Sequence, residues 1–116
     1  MNSEQVRFAE SRLRDLRDEL LLEAKQAEEG TAPVELDQAR IGRLSRMDEM
    51  QQQAMALELN RRREIQLKRI KGAFLRLEKG TYGDCASCGE TIDAKRVDLD
   101  PTVFFCIACA ERAEKR

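Results

Sequence analysis

Along the first thirty residues the apolar side chains Val6, Ala9, Leu13, Leu16, Leu20, Ala24 and Ala27 recur at steps of 3, 4, 3, 4, 4 and 3. That spacing gathers them into one stripe of an amphipathic helix, like the a/d seam of a coiled coil. A helix is expected over residues 5 to about 28, with Ser3 as its N-cap. Gly30 ends it, because glycine accepts the left-handed backbone of a C-cap. Thr31 then caps a second helix, with Pro33 in the first turn, where its missing N–H costs nothing. This second helix is expected over 34–79, closed by Gly80. Its first half carries a looser stripe (Leu36, Ile41, Leu44, Met47, Met50, Ala54, Leu57), and its end a regular one (Leu67, Ile70, Phe74, Leu77). Gly42 and Gly72 lie inside it, each costing about 1 kcal/mol relative to alanine and permitting a local bend.

Two apolar-striped helices joined by a short connection are antiparallel neighbours. The expected fold is mainly α: a long antiparallel helical hairpin over 1–79, with its tip near 29–39, attached to a small C-terminal domain over 80–116. At 1.5 Å per residue the arm is roughly 40 Å long. The alternative pairs the stripes between two copies of the chain. The short Gly-Thr-Ala-Pro turn favours the hairpin, and with it a monomer.

Composition sharpens this division. The 116 residues are 37% charged and 4% aromatic, with no tryptophan, too polar for one large core. Phe74, Tyr82, Phe104 and Phe105 all lie in the last 45 residues, which places the compact core there. No run of 18 apolar residues exists to span a membrane. The N-terminus, with Glu4 and Glu10, lacks the apolar segment of a signal peptide. A cytoplasmic protein is expected.

The net charge of −1 conceals a segregation: residues 61–80 carry eight basic and two acidic side chains, while the rest of the chain is acidic. A basic run of this kind is ordinarily a solvated helix face. The sharper reading is a docking face for an acidic protein surface or a phosphate group. Binding to duplex DNA is disfavoured, since the acidic remainder would be repelled by the phosphate backbone.

Cys85, Cys88, Cys106 and Cys109 form a C-x2-C-x17-C-x2-C pattern, the spacing of a four-cysteine zinc site. Two thiolates three residues apart in a tight turn can both face one ion, and two such turns complete a tetrahedron. Gly89 follows the first pair, where a small residue lets backbone N–H groups approach the sulfurs. The second pair opens a last helix over 106–115, whose N-terminal dipole favours thiolate charge. Structural disulfides are disfavoured in the cytosol, and a thioredoxin-like reading would need a βαβ context. Four thiolates fill the coordination sphere, so one structural Zn2+ is expected. With no histidine in the chain, a hydrolytic or nucleophilic enzyme is not expected. Redox sensing by the thiolates stays open.

The stretch "YGDCASCGETI", then Arg96, Pro101 and "CIACAE", resembles the zinc-finger region of the DksA/TraR family of bacterial RNA polymerase-binding regulators. The resemblance is specific over 82–113 and consistent in architecture over 1–80. It implies a globular zinc domain carrying a coiled coil that enters the polymerase secondary channel. There an Asp-x-Ala tip motif alters initiation at selected promoters without DNA contact. Asp37 and Ala39 match that motif in "DQA", and Glu35 is a neighbouring acid. The plain alternative is that Asp37 is a first-turn acid, held by the helix dipole. Members that respond to the alarmone ppGpp carry basic residues at positions occupied here by Asp100 and Ala110. Among the helix positions Arg62 and Arg69 keep the basic character, whereas Ile65 does not. Weak or absent ppGpp potentiation is therefore expected, with Arg62 and Arg69 contacting polymerase instead. The competing classes are a zinc-containing adaptor module and a transcript-cleavage accessory factor.

Overall fold

A computed structural model describes residues 2–29 and 46–115. The expected tip residues Glu35, Asp37 and Ala39, the turn at 30–33, the start of the second helix at Val34, and Gly42 lie outside the described residues. The described chain is mainly helical: α1 is Ser3–Glu29, α2 is Arg46–Lys79, α3 is Ala94–Leu99 and α4 is Ile107–Glu114. Among the described residues the one extended pairing is an isolated antiparallel bridge between Asp84 and Thr91.

The start of α1 is fixed by Asn2 rather than Ser3. Gln5 N donates to Asn2 Oδ1 at 2.8 Å and Asn2 N donates to Gln5 Oε1 at 3.0 Å. This reciprocal pair is a capping box with asparagine at the cap and glutamine three residues on. The cap falls one residue upstream of the expected one because Gln5, three residues after Asn2, supplies the answering amide. Val6, three residues after Ser3, has no polar side chain with which to answer. The end of α2 follows the expectation. Gly80 has φ +75°, Gly80 N donates to Leu77 O at 3.3 Å, and Thr81 N donates to Arg76 O at 2.9 Å. Those two bonds are the Schellman closure, which satisfies carbonyls that the helix leaves open.

The chain forms two compact units, Met1–Arg17 with Lys68–Arg116, and Asp18–Leu67. The division differs from the expected one at 79/80, because both the start of α1 and the end of α2 belong with the cysteine-bearing segment. In that unit Ala9, Leu13, Ile70 and Ala73 are buried; the two alanines leave room for the helix backbones to approach. Arg17 lies over the Phe74 ring, 5.6 Å from its centroid. The segment 98–102 is clamped from several sides. Arg12 donates to Asp98 O (2.6 Å), Arg69 to Asp100 Oδ2 (3.1 Å), Arg76 to Thr102 O (3.4 Å) and Tyr82 Oη to Pro101 O (2.8 Å). Within it, buried Thr102 gives Asp100 Oδ1 both its hydroxyl (2.6 Å) and its N–H (3.0 Å). The short helix α3, absent from the sequence expectation, starts from Asp93, whose carboxylate accepts from Lys95 N.

The unit Asp18–Leu67 has no buried residue among those described. Leu20, Ala24 and Ala27 of the α1 stripe are half-buried, and Arg63 reaches Glu23 at 3.9 Å. The expected stripe of Met47, Met50 and Leu57 is 77%, 66% and 69% exposed. At 3.6 residues per turn it falls on the side of α2 away from Arg63 and Gln66, which are among the partly covered positions, with Glu58 and Leu67.

Candidate metal centre

Each cysteine pair is held by its own backbone geometry. Before the first pair, Ile92 N donates to Gly83 O (2.8 Å) and Cys85 N to Glu90 O (2.7 Å), closing a loop around residues 85–90. Gly89 N returns to Cys85 O at 2.9 Å, with Gly89 at φ +78°. A Cβ there would meet nothing within 4 Å. The glycine is required by its left-handed backbone and not, as expected from the sequence, by space near the sulfurs. The second pair sits at the start of α4. Cys106 is the N-cap, its Sγ accepts from Cys109 N at 3.4 Å, and Ala110 N donates to Cys106 O at 2.9 Å. The two halves are joined by Ala86 N, which donates to Phe104 O at 2.7 Å. Cys85, Ile92, Val103 and Cys109 form one buried cluster, with Val97, Phe105 and Cys106 packed against it.

The four sulfurs all lie within 4.8 Å of one another, and Cys88 Sγ is 3.8 Å from Cys106 Sγ. Metal–sulfur bonds of about 2.3 Å in a tetrahedron require sulfur–sulfur edges of about 3.8 Å, so the cluster already has the size of a zinc cage. Its proton chemistry points the same way. Backbone hydrogen bonds at Cys106 and Cys88 bring the Cys85 thiol down to about 6. The Cys106 side chain, followed by burial, pushes the Cys109 thiol up to about 12. At Cys88 the backbone near Glu90 pulls downward, but Cys85, burial and Cys106 together raise it. Repulsion between crowded thiolates thus leaves Cys85 ready to give up its proton while Cys88 and Cys109 hold theirs. A divalent cation offsets that repulsion by taking the place of the protons. One Zn2+ is the structural cofactor of these four cysteines; when bound it closes the tetrahedron and leaves no position for substrate.

Support for the cage comes from a residue whose role the sequence reading did not assign. Arg96 of α3 donates from Nε to Phe105 O at 3.1 Å, fixing the peptide that leads into Cys106. Its position after the N-cap Asp93 was the available signal. Of the basic candidates, Arg62 is exposed and pairs with Glu58 on its own helix at 3.2 Å. Arg69 is half-buried: it binds Asp100 and lies 5.8 Å from the Phe104 centroid. The structure thus brings together Arg69 and Asp100, which lie 31 residues apart and which no spacing in the sequence links.

The prokaryotic dksA/traR C4-type zinc finger matches residues 80–115. The RNA polymerase-binding transcription factor DksA of Haemophilus influenzae is 40% identical over 68 residues, covering 57% of this chain and 47% of that protein. An uncharacterized protein of Aquifex aeolicus is 43% identical over 49 residues, covering 42% of this chain and 34% of that protein. The chain therefore spans less than half the length of these curated relatives. The structure of transcription factor DksA2 from Pseudomonas aeruginosa matches with a TM-score of 0.81 at 32% identity, covering 100% of this chain and 88% of that one. Joined by the cysteine-bearing finger at one end and by a whole-chain structural likeness, the chain belongs to the DksA/TraR family.

Proposed function

We propose that this chain is a cytoplasmic transcription regulator that binds RNA polymerase directly as a monomer. Its helical arm enters the secondary channel and alters initiation without touching DNA, and the chain performs no catalysis of its own. The observation that carries this reading is the whole-chain likeness to transcription factor DksA2, which extends over the helices as well as the finger. The relatives that bear the name RNA polymerase-binding transcription factor supply the partner. Zinc holds the finger and the paired helix ends in one unit, while Asp37, Ala39 and the neighbouring Glu35 are the residues delivered to the polymerase interior. Arg62 is free to reach beyond its helix-surface pair with Glu58.

The response to ppGpp is expected to be weak. Asp100 presents a carboxylate where a basic group would be needed, and Arg69 is already committed to that carboxylate at 3.1 Å. Bringing a phosphate beside a carboxylate costs about 4 kcal/mol per close charge pair at an effective dielectric near 20.

The test is transcription in vitro with purified polymerase, with and without ppGpp, comparing the wild type with Asp37→Asn. The variant should still bind polymerase but lose the effect on promoter output. Regulation by the variant equal to that of the wild type would overturn the tip mechanism.

A further inference from the structure

On the unit Met1–Arg17 with Lys68–Arg116 lies a groove that adjoins the buried cluster of the zinc cage at Ile92 but holds none of its cysteines. Its volume is about 620 Å³, and its floor is apolar, built from Val6, Ala9, Leu77 and Val97 beside buried Ile92. One wall carries Phe8, 62% exposed despite being a large aromatic. The rim holds three carboxylates, Glu4, Asp84 and Asp98, none of which has an ion-pair partner among the described residues. Arg12 is the one basic residue lining the groove.

Arg12 also shows what chemistry this surface accepts. Its guanidinium lies 5.8 Å from the centroid of Phe8 and donates to Asp98 O at 2.6 Å. The Phe8 ring and the Asp98 carbonyl already receive the chain's own cation, while the three carboxylates have no ion-pair partner among the described residues. Apolar floor, aromatic wall and acidic rim together complement a chain segment whose apolar side chains are flanked by lysine or arginine.

We propose that this groove is a docking site for a basic, apolar polypeptide segment of a protein partner. Apolar side chains of the segment settle on Val6 and Val97, and its cations reach Glu4, Asp84 and Asp98. The site is independent of the arm, and its existence does not require that the partner be polymerase.

The test titrates the zinc-loaded full chain, labelled with nitrogen-15, with a capped peptide of alternating lysine and leucine at about 0.1 M salt. The expected result is movement of the amide signals of Val6, Ala9, Thr91 and Val97. A glutamate–leucine peptide and a lysine–serine peptide should both fail to move them. The exposed double variant Glu4→Gln with Asp98→Asn should bind about tenfold more weakly, and Phe8→Ala about fivefold more weakly. Unchanged affinity in the charge variant, equal binding of the lysine–serine peptide, signal movement elsewhere, or no movement would each overturn the proposal. Movement at these amides with rising protein concentration alone would also overturn it, by showing that a second copy fills the groove.

Discussion

The two compact units draw on the same two helices yet keep their form by different means. Every buried residue among those described lies in Met1–Arg17 with Lys68–Arg116, together with the four cysteines. The unit Asp18–Leu67 holds two α-helical stretches with half-buried small and branched side chains on one face, and surface ion pairs such as Glu58 with Arg61 at 2.7 Å. Surface pairs of this kind contribute about 0–1 kcal/mol each. Helix propensity and a shallow seam therefore hold one unit, whereas a metal and a dense core hold the other. The lesson is that a continuous helix does not imply uniform stability along it.

The largest effect that would sharpen this contrast is loss of the metal. Structural zinc contributes about 10 kcal/mol or more in small fingers, as much as the whole stability of a small domain. Cys85→Ser is expected to abolish zinc binding and hydrogen-exchange protection around Tyr82 and Val103, with little change in exchange over 18–29 and 46–67. If protection there collapses equally, the contrast fails.

Next comes the core. Leu13 is 0% exposed, and Leu13→Ala should cost about 2–5 kcal/mol in urea unfolding. The half-buried Leu20 on the same stripe is expected to cost about 1 kcal/mol when cut to alanine. Equal costs would mean that both units are packed alike.

A smaller effect attaches to Asp100. Burial alone would raise its carboxyl, but hydrogen bonds from the Thr102 hydroxyl and N–H, with the charge of Arg69, outweigh burial and hold it below its ordinary 3.8. A carboxyl lowered in the folded state stabilises above the unfolded value and loses that contribution as pH falls through the folded value. Asp100→Asn should therefore cost about 1 kcal/mol at neutral pH, reduced by solvent exposure. The difference in melting temperature from wild type should close on acidification below about pH 4. A gap that widens on acidification would reverse the sign of this argument.

The smallest change is expected in the arm. Leu57, 69% exposed, should tolerate Leu57→Ser within about 0.5 kcal/mol by thermal denaturation. A larger loss would reveal that the exposed methionine and leucine stripe is covered.

Much of this was legible from the chain alone, for identifiable reasons. The α1 stripe carries apolar residues at one spacing, so Ala9 and Leu13 could be placed against a partner helix directly. The zinc ligands were legible because coordination geometry constrains the spacing within each pair. Gly80 was legible because its left-handed turn has a local signature. What escaped depends on long-range contacts or on short segments. Arg69 and Asp100 meet only after the chain folds back, and α3 is too brief to build a periodic pattern. Along α2 the sequence offers two apolar faces, Met47 with Met50 and Leu57 on one, and periodicity alone does not say which is covered.

The bond from Arg12 to the carbonyl of Asp98 spans 86 residues. On a ribosome adding about 5–20 residues per second, the start of α1 waits about 4–17 s for that partner to be made. For most of that interval Ile70 and Ala73 of α2, buried with Ala9 and Leu13 in the folded unit, have not been made either. The newborn α1 thus waits with an apolar stripe uncovered, and its bond to Asp98 forms only when that segment of the finger has left the exit tunnel.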